Sequence, residues 1–125
     1  MVEFAIMLPI LLLLILGAMD LGRLFTTKIV LTNAAREGAN YLAYFPMDAN
    51  DGFANTFDAI EREADSSNID VSALSISISN CCTPGSSVEV TVGTTVDLVF
   101  ENALQFFGLM NGPVHLTSSV KMVVQ

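Results

Sequence analysis

The residues of this chain that could do acid–base or nucleophilic chemistry are few and scattered. His115 is the single histidine, and it lies in a stretch where apolar and polar residues alternate, as they do in a strand. A catalytic triad needs a histidine beside a nucleophile and an orienting acid, and no spacing in the sequence indicates such a group. Glycine-rich phosphate loops and metal-binding helix motifs are also missing from the sequence. We therefore expect no enzymatic activity and no cofactor.

Two adjacent cysteines, Cys81 and Cys82, are the only thiols in the sequence. A structural zinc site needs about four ligands, and these two cysteines with one distant histidine do not supply them. The pair could bond to each other, cross-link to another subunit or remain as free thiols. The sequence leaves these three alternatives open.

The segment from Asp48 to Gly52 carries oxygen-bearing side chains that would suit calcium. The spacing of these side chains and of the glycine does not follow the EF-hand pattern, however. We interpret the segment as a turn that leads into a helix.

Glu3 is an ionisable residue at the edge of a long apolar run. A charged group in lipid is costly and usually has a partner. One interpretation places Glu3 at the water interface, where it favours the N-terminus of a helix. The other has Glu3 neutralise a positive group at the N-terminus of a neighbouring subunit during assembly, and the sequence does not decide between them.

Residues 1–46 are predicted to form one long helix, which we call the stem. The chain has 125 residues, 52% of them hydrophobic, and a mean hydropathy of +0.58. Much of this apolar character lies between Phe4 and Met19, a run that approaches the length of a membrane-spanning helix. A secretory signal would need a basic start and a small-residue cleavage site, and neither is present. Pro46 should end the stem.

Just beyond the apolar run, Asp20 and Arg23 are spaced i, i+3, so we predict that they pair on one helix face at the membrane interface. The second half of the stem has a narrow apolar stripe. Its members recur at steps of three, four and seven, and Lys28 interrupts them: Leu24, Leu31, Ala35, Gly38, Leu42 and Phe45.

Two pairs of small residues, Ala34/Gly38 and Ala35/Ala39, also lie in the second half of the stem. Pairs with this spacing allow another backbone to approach closely. They could pack against a neighbouring subunit, or they could seat the rest of the same chain on the stem.

Residues 47–125, the head, are predicted to contain one short helix and three strands. Phe53, Phe57, Ile60 and Ala64 would share the apolar face of the helix, which should end at residues 66–68. From Asp70 the apolar period becomes two, with strands expected around residues 74–78, 88–100 and 114–124 and a loop or helical turn at 103–110. The predicted fold class is α+β, an antiparallel three-stranded sheet covered by the stem.

The net charge of −8 belongs to the head, because acidic and basic residues balance in the stem. Binding to nucleic acid requires clustered lysine and arginine, so a nucleic-acid partner is not expected.

Several segments together resemble the TadE/TadG-like pilins and pseudopilins of tight-adherence (Tad, Flp-type) secretion systems. These are Val2–Ala5 (VEFA), an apolar run containing Pro9, Asp20–Arg23 (DLGR), Asn33–Ala39 (NAAREGA) and the closing segment 112–124. The resemblance is specific in the stem and generic in the middle of the head.

The resemblance implies a type IV pilin-like subunit, with a leader that a prepilin peptidase removes. It also implies storage in the inner membrane and assembly by the Tad machinery into an extracellular homo-oligomeric filament that serves adhesion or surface attachment. Glu3 would correspond to the pilin glutamate that sets subunit register, although pilins place it fifth in the mature chain and here it is third. A minor pseudopilin and a monomeric membrane-anchored binding module are the alternatives.

Overall fold

The computed structural model describes residues 2–99 and 112–125, and its first element is one uninterrupted helix. This helix, α1, spans Val2–Tyr44 and contains Pro9. It ends two residues before Pro46, since a residue that precedes proline is disfavoured in helical conformation. The prediction of a single long stem helix is therefore confirmed.

A sharp reversal follows the stem. A 3₁₀ turn spans Pro46–Asp51, and a second α-helix, α2, spans Ala54–Ser66 and packs back against α1. Another 3₁₀ turn at Val71–Ala73 then leads into the sheet.

The sheet has three antiparallel strands in sequence order: β1 (Ser75–Ser79), β2 (Ser87–Val96) and β3 (Val114–Val123). Ser77 lies opposite Thr91, which in turn lies opposite Ser119. The α+β fold class is confirmed. The second strand ends at Val96, earlier than predicted, and the segment expected to be a loop or helical turn at 103–110 lies outside the described residues.

The core lies between the inner face of the sheet and the second half of α1, with α2 completing it. The fully buried apolar side chains come from all three layers: Leu31, Ala34, Ala35, Ala39, Leu42, Ile60, Val88, Val90 and Val92. Polar residues alternate with the valines along β2, so one face of the strand is buried and the other meets solvent. The stem is thus a structural layer of the head.

Phe45 does not belong to the stripe that faces the head, so this part of the prediction is wrong. Its side chain is 58% exposed, and its ring lies 5.0 Å from the ring of Tyr41. The backbone of Phe45 has φ −126° and ψ 64°, which is not helical. Because the helix has already ended, the helical period no longer determines where this side chain points.

The N-terminus of α2 is capped by a residue several positions upstream. Phe53 occupies the capping position in a left-handed conformation (φ 64°) and offers no side-chain acceptor. Asp48 takes over this role. One of its oxygens accepts from the Thr56 amide at 2.9 Å and the Thr56 hydroxyl at 2.5 Å, and the other accepts from the Asn55 side-chain amide at 2.8 Å.

The environment of Asp48 also determines its charge state. Burial disfavours the charged carboxylate, but the hydrogen bonds from Thr56 and Asn55 outweigh this effect and hold the pKa of Asp48 below 3.8. Both oxygens already bind donors of the same chain, so the segment from Asp48 to Gly52 acts as a helix cap rather than as a cation loop.

Candidate membrane and assembly helix

The first half of α1 presents apolar side chains to its surroundings on every side. Phe4 is 79% exposed and Met7 71%, and most of the large apolar side chains that follow as far as Met19 are between 41% and 67% exposed. The helical segment Ile6–Tyr44 is long and apolar enough to cross a membrane, judged by length and composition. Within residues 2–99 and 112–125, the head leaves most of these side chains exposed, so another apolar environment is expected to cover them.

Glu3 lies in the first turn of α1 and is exposed. It borders a shallow apolar surface formed by side chains one and two turns further on, among them Met7, Leu8 and Leu11. A carboxylate in this position interacts favourably with the positive end of the helix dipole. Its role in subunit register stays a prediction.

Asp20, at the end of the apolar run, is a point of contact between the stem and the head. Its side chain is buried, and its Oδ1 accepts a hydrogen bond from the amide of Val99 at 3.2 Å. The ion pairs between residues of the described ranges join Arg62 to Asp58 and Lys121 to Glu89, and Asp20–Arg23 is not among them. Asp20 is buried and reaches the head, whereas Arg23 is exposed. Their pairing stays a prediction.

The small residues in the second half of the stem serve the head of the same chain. Ala34, Ala35 and Ala39 are fully buried. A Cβ added to Gly38 would lie 2.6 Å from both Cδ1 and Cγ1 of Ile60. Of the two uses that the sequence left open, the structure shows the intramolecular one.

Polar contacts fasten the edge of the sheet to the stem. The Lys28 ammonium donates to the carbonyl of Thr117, and the hydroxyls of Thr32 and Ser118 lie 2.8 Å apart. At the far end, the amide of Gln125 donates to the carbonyl of Ala43 at 3.0 Å. Sequence reasoning missed these contacts, although the interruption of the apolar stripe by Lys28 was a signal.

The remaining candidate residues lie apart from one another. His115 is exposed on the outer face of β3, opposite Thr95. Cys81 and Cys82 are paired with each other at the turn between β1 and β2, and Cys81 packs against the core. No group of three or more potential metal ligands occurs within residues 2–99 and 112–125.

These features define a class of protein: a small α+β head built on a single helix whose free half has the composition of a membrane anchor. The model of the TadE-like protein family matches residues 1–40, which is the stem without its last turn. The resemblance noted in the stem is thereby confirmed for residues 1–40, about a third of the chain. No match to a curated protein or to a solved structure was found.

Proposed function

We propose that this protein is a structural subunit of a Tad-type, type IV pilus-like filament that serves adhesion or surface attachment. The subunit waits in the inner membrane and enters the filament through its N-terminal helix. Neither an enzymatic activity nor a cofactor is part of this proposal. The observation that carries it is the division of α1 into an exposed apolar half and a half buried by the head.

A rigid helix of this kind can exchange one apolar environment for another. In the membrane, lipid covers the segment from Phe4 to Met19. In a filament, the equivalent segments of neighbouring subunits cover it, and apolar area stays out of water in both states. The heads then form the outer surface, and their acidic side chains keep that surface soluble.

Glu3 has the role of aligning an incoming subunit, because its carboxylate is the one charge at the start of an otherwise apolar segment. An unpaired carboxylate in an apolar surrounding is unfavourable, so only a register that supplies a positive partner is stable.

Electron microscopy of surface filaments, with mass spectrometry of their main component, tests the proposal directly. The Glu3→Ala variant should stay in the membrane fraction while filament number falls, and Glu37→Ala provides a matched control on an exposed glutamate of the same helix. Undiminished filaments in the Glu3→Ala strain would refute the register role. Filaments that lack this chain altogether would refute the structural role and favour the monomeric anchored module.

A further inference from the structure

A polar groove lies between the stem and the loop that follows α2, at the rim of the head nearest to the apolar half of the stem. Its volume is about 340 Å³. The stem and the loop both contribute to its walls, with Gly22, Arg23 and Thr27 from the stem and Ser67, Asn68 and Ile69 from the loop. We call it the rim groove.

The direction of α2 places the rim groove close to the membrane surface. Ile60 of α2 lies against Gly38 of the stem, whereas the residues just after α2 face the stem between Gly22 and Val30, so α2 runs back toward the apolar half. At about 1.5 Å per residue, Arg23 lies about 6 Å beyond Met19 along the helix. The polar headgroup layer of a bilayer is about 5–8 Å thick on each side. When lipid covers the apolar run, the rim groove therefore begins within the headgroup layer.

The side chains of the rim groove can donate hydrogen bonds to an anion. Arg23 is exposed on the stem wall, and its planar guanidinium matches two oxygens of a phosphate group. The Ser67 hydroxyl and the Asn68 amide are exposed on the opposite wall and can donate as well. The phosphodiester of a phospholipid is the anion present at this depth of a membrane.

An acidic depression adjoins the rim groove on the side of α2 and shares Asn68 and Ile69 with it. Asp65 and Asp70 line this depression, and both are exposed. Hydrogen bonds from Ser72 lower the pKa of Asp70, so this carboxyl group is ionised at neutral pH. The C-terminal end of α2 adds the negative end of a helix dipole. This side favours a cation and disfavours a second anion.

We propose that the rim groove and the acidic depression together bind one zwitterionic phospholipid headgroup that carries a phosphodiester and a primary ammonium group, as phosphatidylethanolamine does. Arg23 binds the phosphate. The ammonium group, at the end of a two-carbon arm, donates to Asp65 and Asp70, and the acyl chains lie along the apolar run. This inference rests on the proposed storage of the subunit in the membrane, and not on filament formation.

The two neighbouring lipid classes fit this pair of surfaces less well. The choline group of phosphatidylcholine has the same positive charge but no N–H group to donate to the carboxylates. The glycerol headgroup of phosphatidylglycerol has no cation, so the lipid brings a net negative charge next to Asp65 and Asp70. We therefore expect a preference for the primary ammonium group over both.

Native mass spectrometry of the full chain, released from nanodiscs that contain the three lipids in equal amounts, tests this preference. Adducts with phosphatidylethanolamine should exceed those with either other lipid about fivefold, as expected for one added charge-assisted hydrogen bond. Soluble glycerophosphoethanolamine, which has the same headgroup without acyl chains, should be retained far less, because it buries no apolar area on the stem.

Charge-removing variants assign the two halves of the site. Arg23→Gln should lower the phosphatidylethanolamine adduct about tenfold. Arg36→Gln is the matched control, since Arg36 is an exposed arginine about 20 Å further along the same helix. Asp65→Asn should remove most of the preference over phosphatidylglycerol while adducts with that lipid persist. Asp51→Asn, at an exposed aspartate beyond the far end of the stem, should keep the preference.

Thermal unfolding of the head, followed in the same samples, should agree among the four variants and thereby separate lipid binding from folding. Equal adducts with the three lipids, an undiminished adduct in Arg23→Gln, or retention of the soluble headgroup as strong as that of the lipid would each overturn the inference. Lipid preference in a protein that never enters filaments would instead refute the proposed function and leave this site standing. Filaments built from a protein without lipid preference would overturn the inference alone.

Discussion

Gly38 on the stem lies directly against Ile60 of α2, with no space between them for a methyl group. A Cβ at Gly38 would lie 2.6 Å from Ile60 Cδ1 and 3.5 Å from Cγ1 of Val90, and Ile60 is fully buried. This contact sets how closely α2 can approach α1, and hence how the head sits on its stem.

Gly38→Ala should therefore destabilise the head, although alanine is the better helix former. Overpacking of a core costs about 1–3 kcal/mol, which exceeds the gain of about 0.5–1 kcal/mol from replacing a helical glycine. The measurement is thermal or denaturant unfolding in detergent. Gly17→Ala, where a Cβ has open space, should not destabilise, and adding Ile60→Val to Gly38→Ala should recover part of the loss. Equal stability of the Gly38→Ala and Gly17→Ala proteins would contradict this view of the contact.

Asp48→Ala should lower the free energy of unfolding by about 1–3 kcal/mol, because it leaves the first turn of α2 uncapped and the Thr56 hydroxyl unpaired in a buried position. Asp51→Ala is the control, since Asp51 belongs to the same turn and is exposed. Circular dichroism and unfolding curves of the two variants provide the comparison. A larger loss in Asp51→Ala would place the functional carboxylate elsewhere in the turn.

The same carboxylate makes the stability of the head depend on pH in the acid range. The pKa of Asp48 is lowered from 3.8 in the folded state, despite burial, by hydrogen bonds from Thr56 and Asn55. The pKa of Asp70 is lowered by hydrogen bonds from Ser72. A lowered folded-state pKa means that the stabilisation is complete above pH 3.8 and is lost as the pH falls through the folded value.

Unfolding curves recorded from neutral pH downward should therefore show constant stability first and a decline below about pH 4. Asp48→Asn should start from a lower stability and decline less steeply, because the variant lacks one of the two carboxyl groups whose lowered pKa is described above. A wild-type protein that gained stability on acidification in this range would contradict the assignment.

Asp20→Ala should release the amide of Val99 from its contact with the stem. Hydrogen exchange at this amide is expected to accelerate several-fold, because the acceptor at 3.2 Å is removed. Arg23→Ala should leave the exchange rate unchanged, since Arg23 is exposed and outside the ion pairs of the described ranges. Faster exchange in the Arg23→Ala protein would support the predicted Asp20–Arg23 pair.

Periodic features of the fold were predictable from the sequence. The stem is an apolar run followed by an amphipathic stripe, and Pro9 does not end the helix, while the strands largely alternate between apolar and polar residues. Helix and sheet therefore follow from side-chain period. The burial of Leu31, Ala35 and Leu42 follows from the same rule. Phe45 shows the limit of this rule, because the helical period no longer applies after the helix has ended at Tyr44.

Contacts between distant parts of the chain were not predictable in the same way. Val99, whose amide donates to Asp20, stands 79 residues away from it, whereas reasoning on one helix can weigh only neighbours such as Arg23. The capping role of Asp48 could not be predicted, because the residue it caps, Thr56, lies eight positions further along the chain. The capping position itself is occupied by Phe53 in a left-handed conformation, which no capping rule anticipates. For Ala34/Gly38 and Ala35/Ala39, spacing showed a close approach but not the identity of the approaching backbone.

The continuity of α1 has a mechanical consequence. A 43-residue helix is a rod of about 65 Å that runs from Glu3 into the centre of the head without a linker. A pull between stem and head therefore acts along the helix axis, which is the direction of its backbone hydrogen bonds, rather than on a loose tether. Pro9 has no amide hydrogen to donate, so the turn before it should yield first under load. Extension would then begin far from the head, and the turn at Pro9 would open before the packed sheet does.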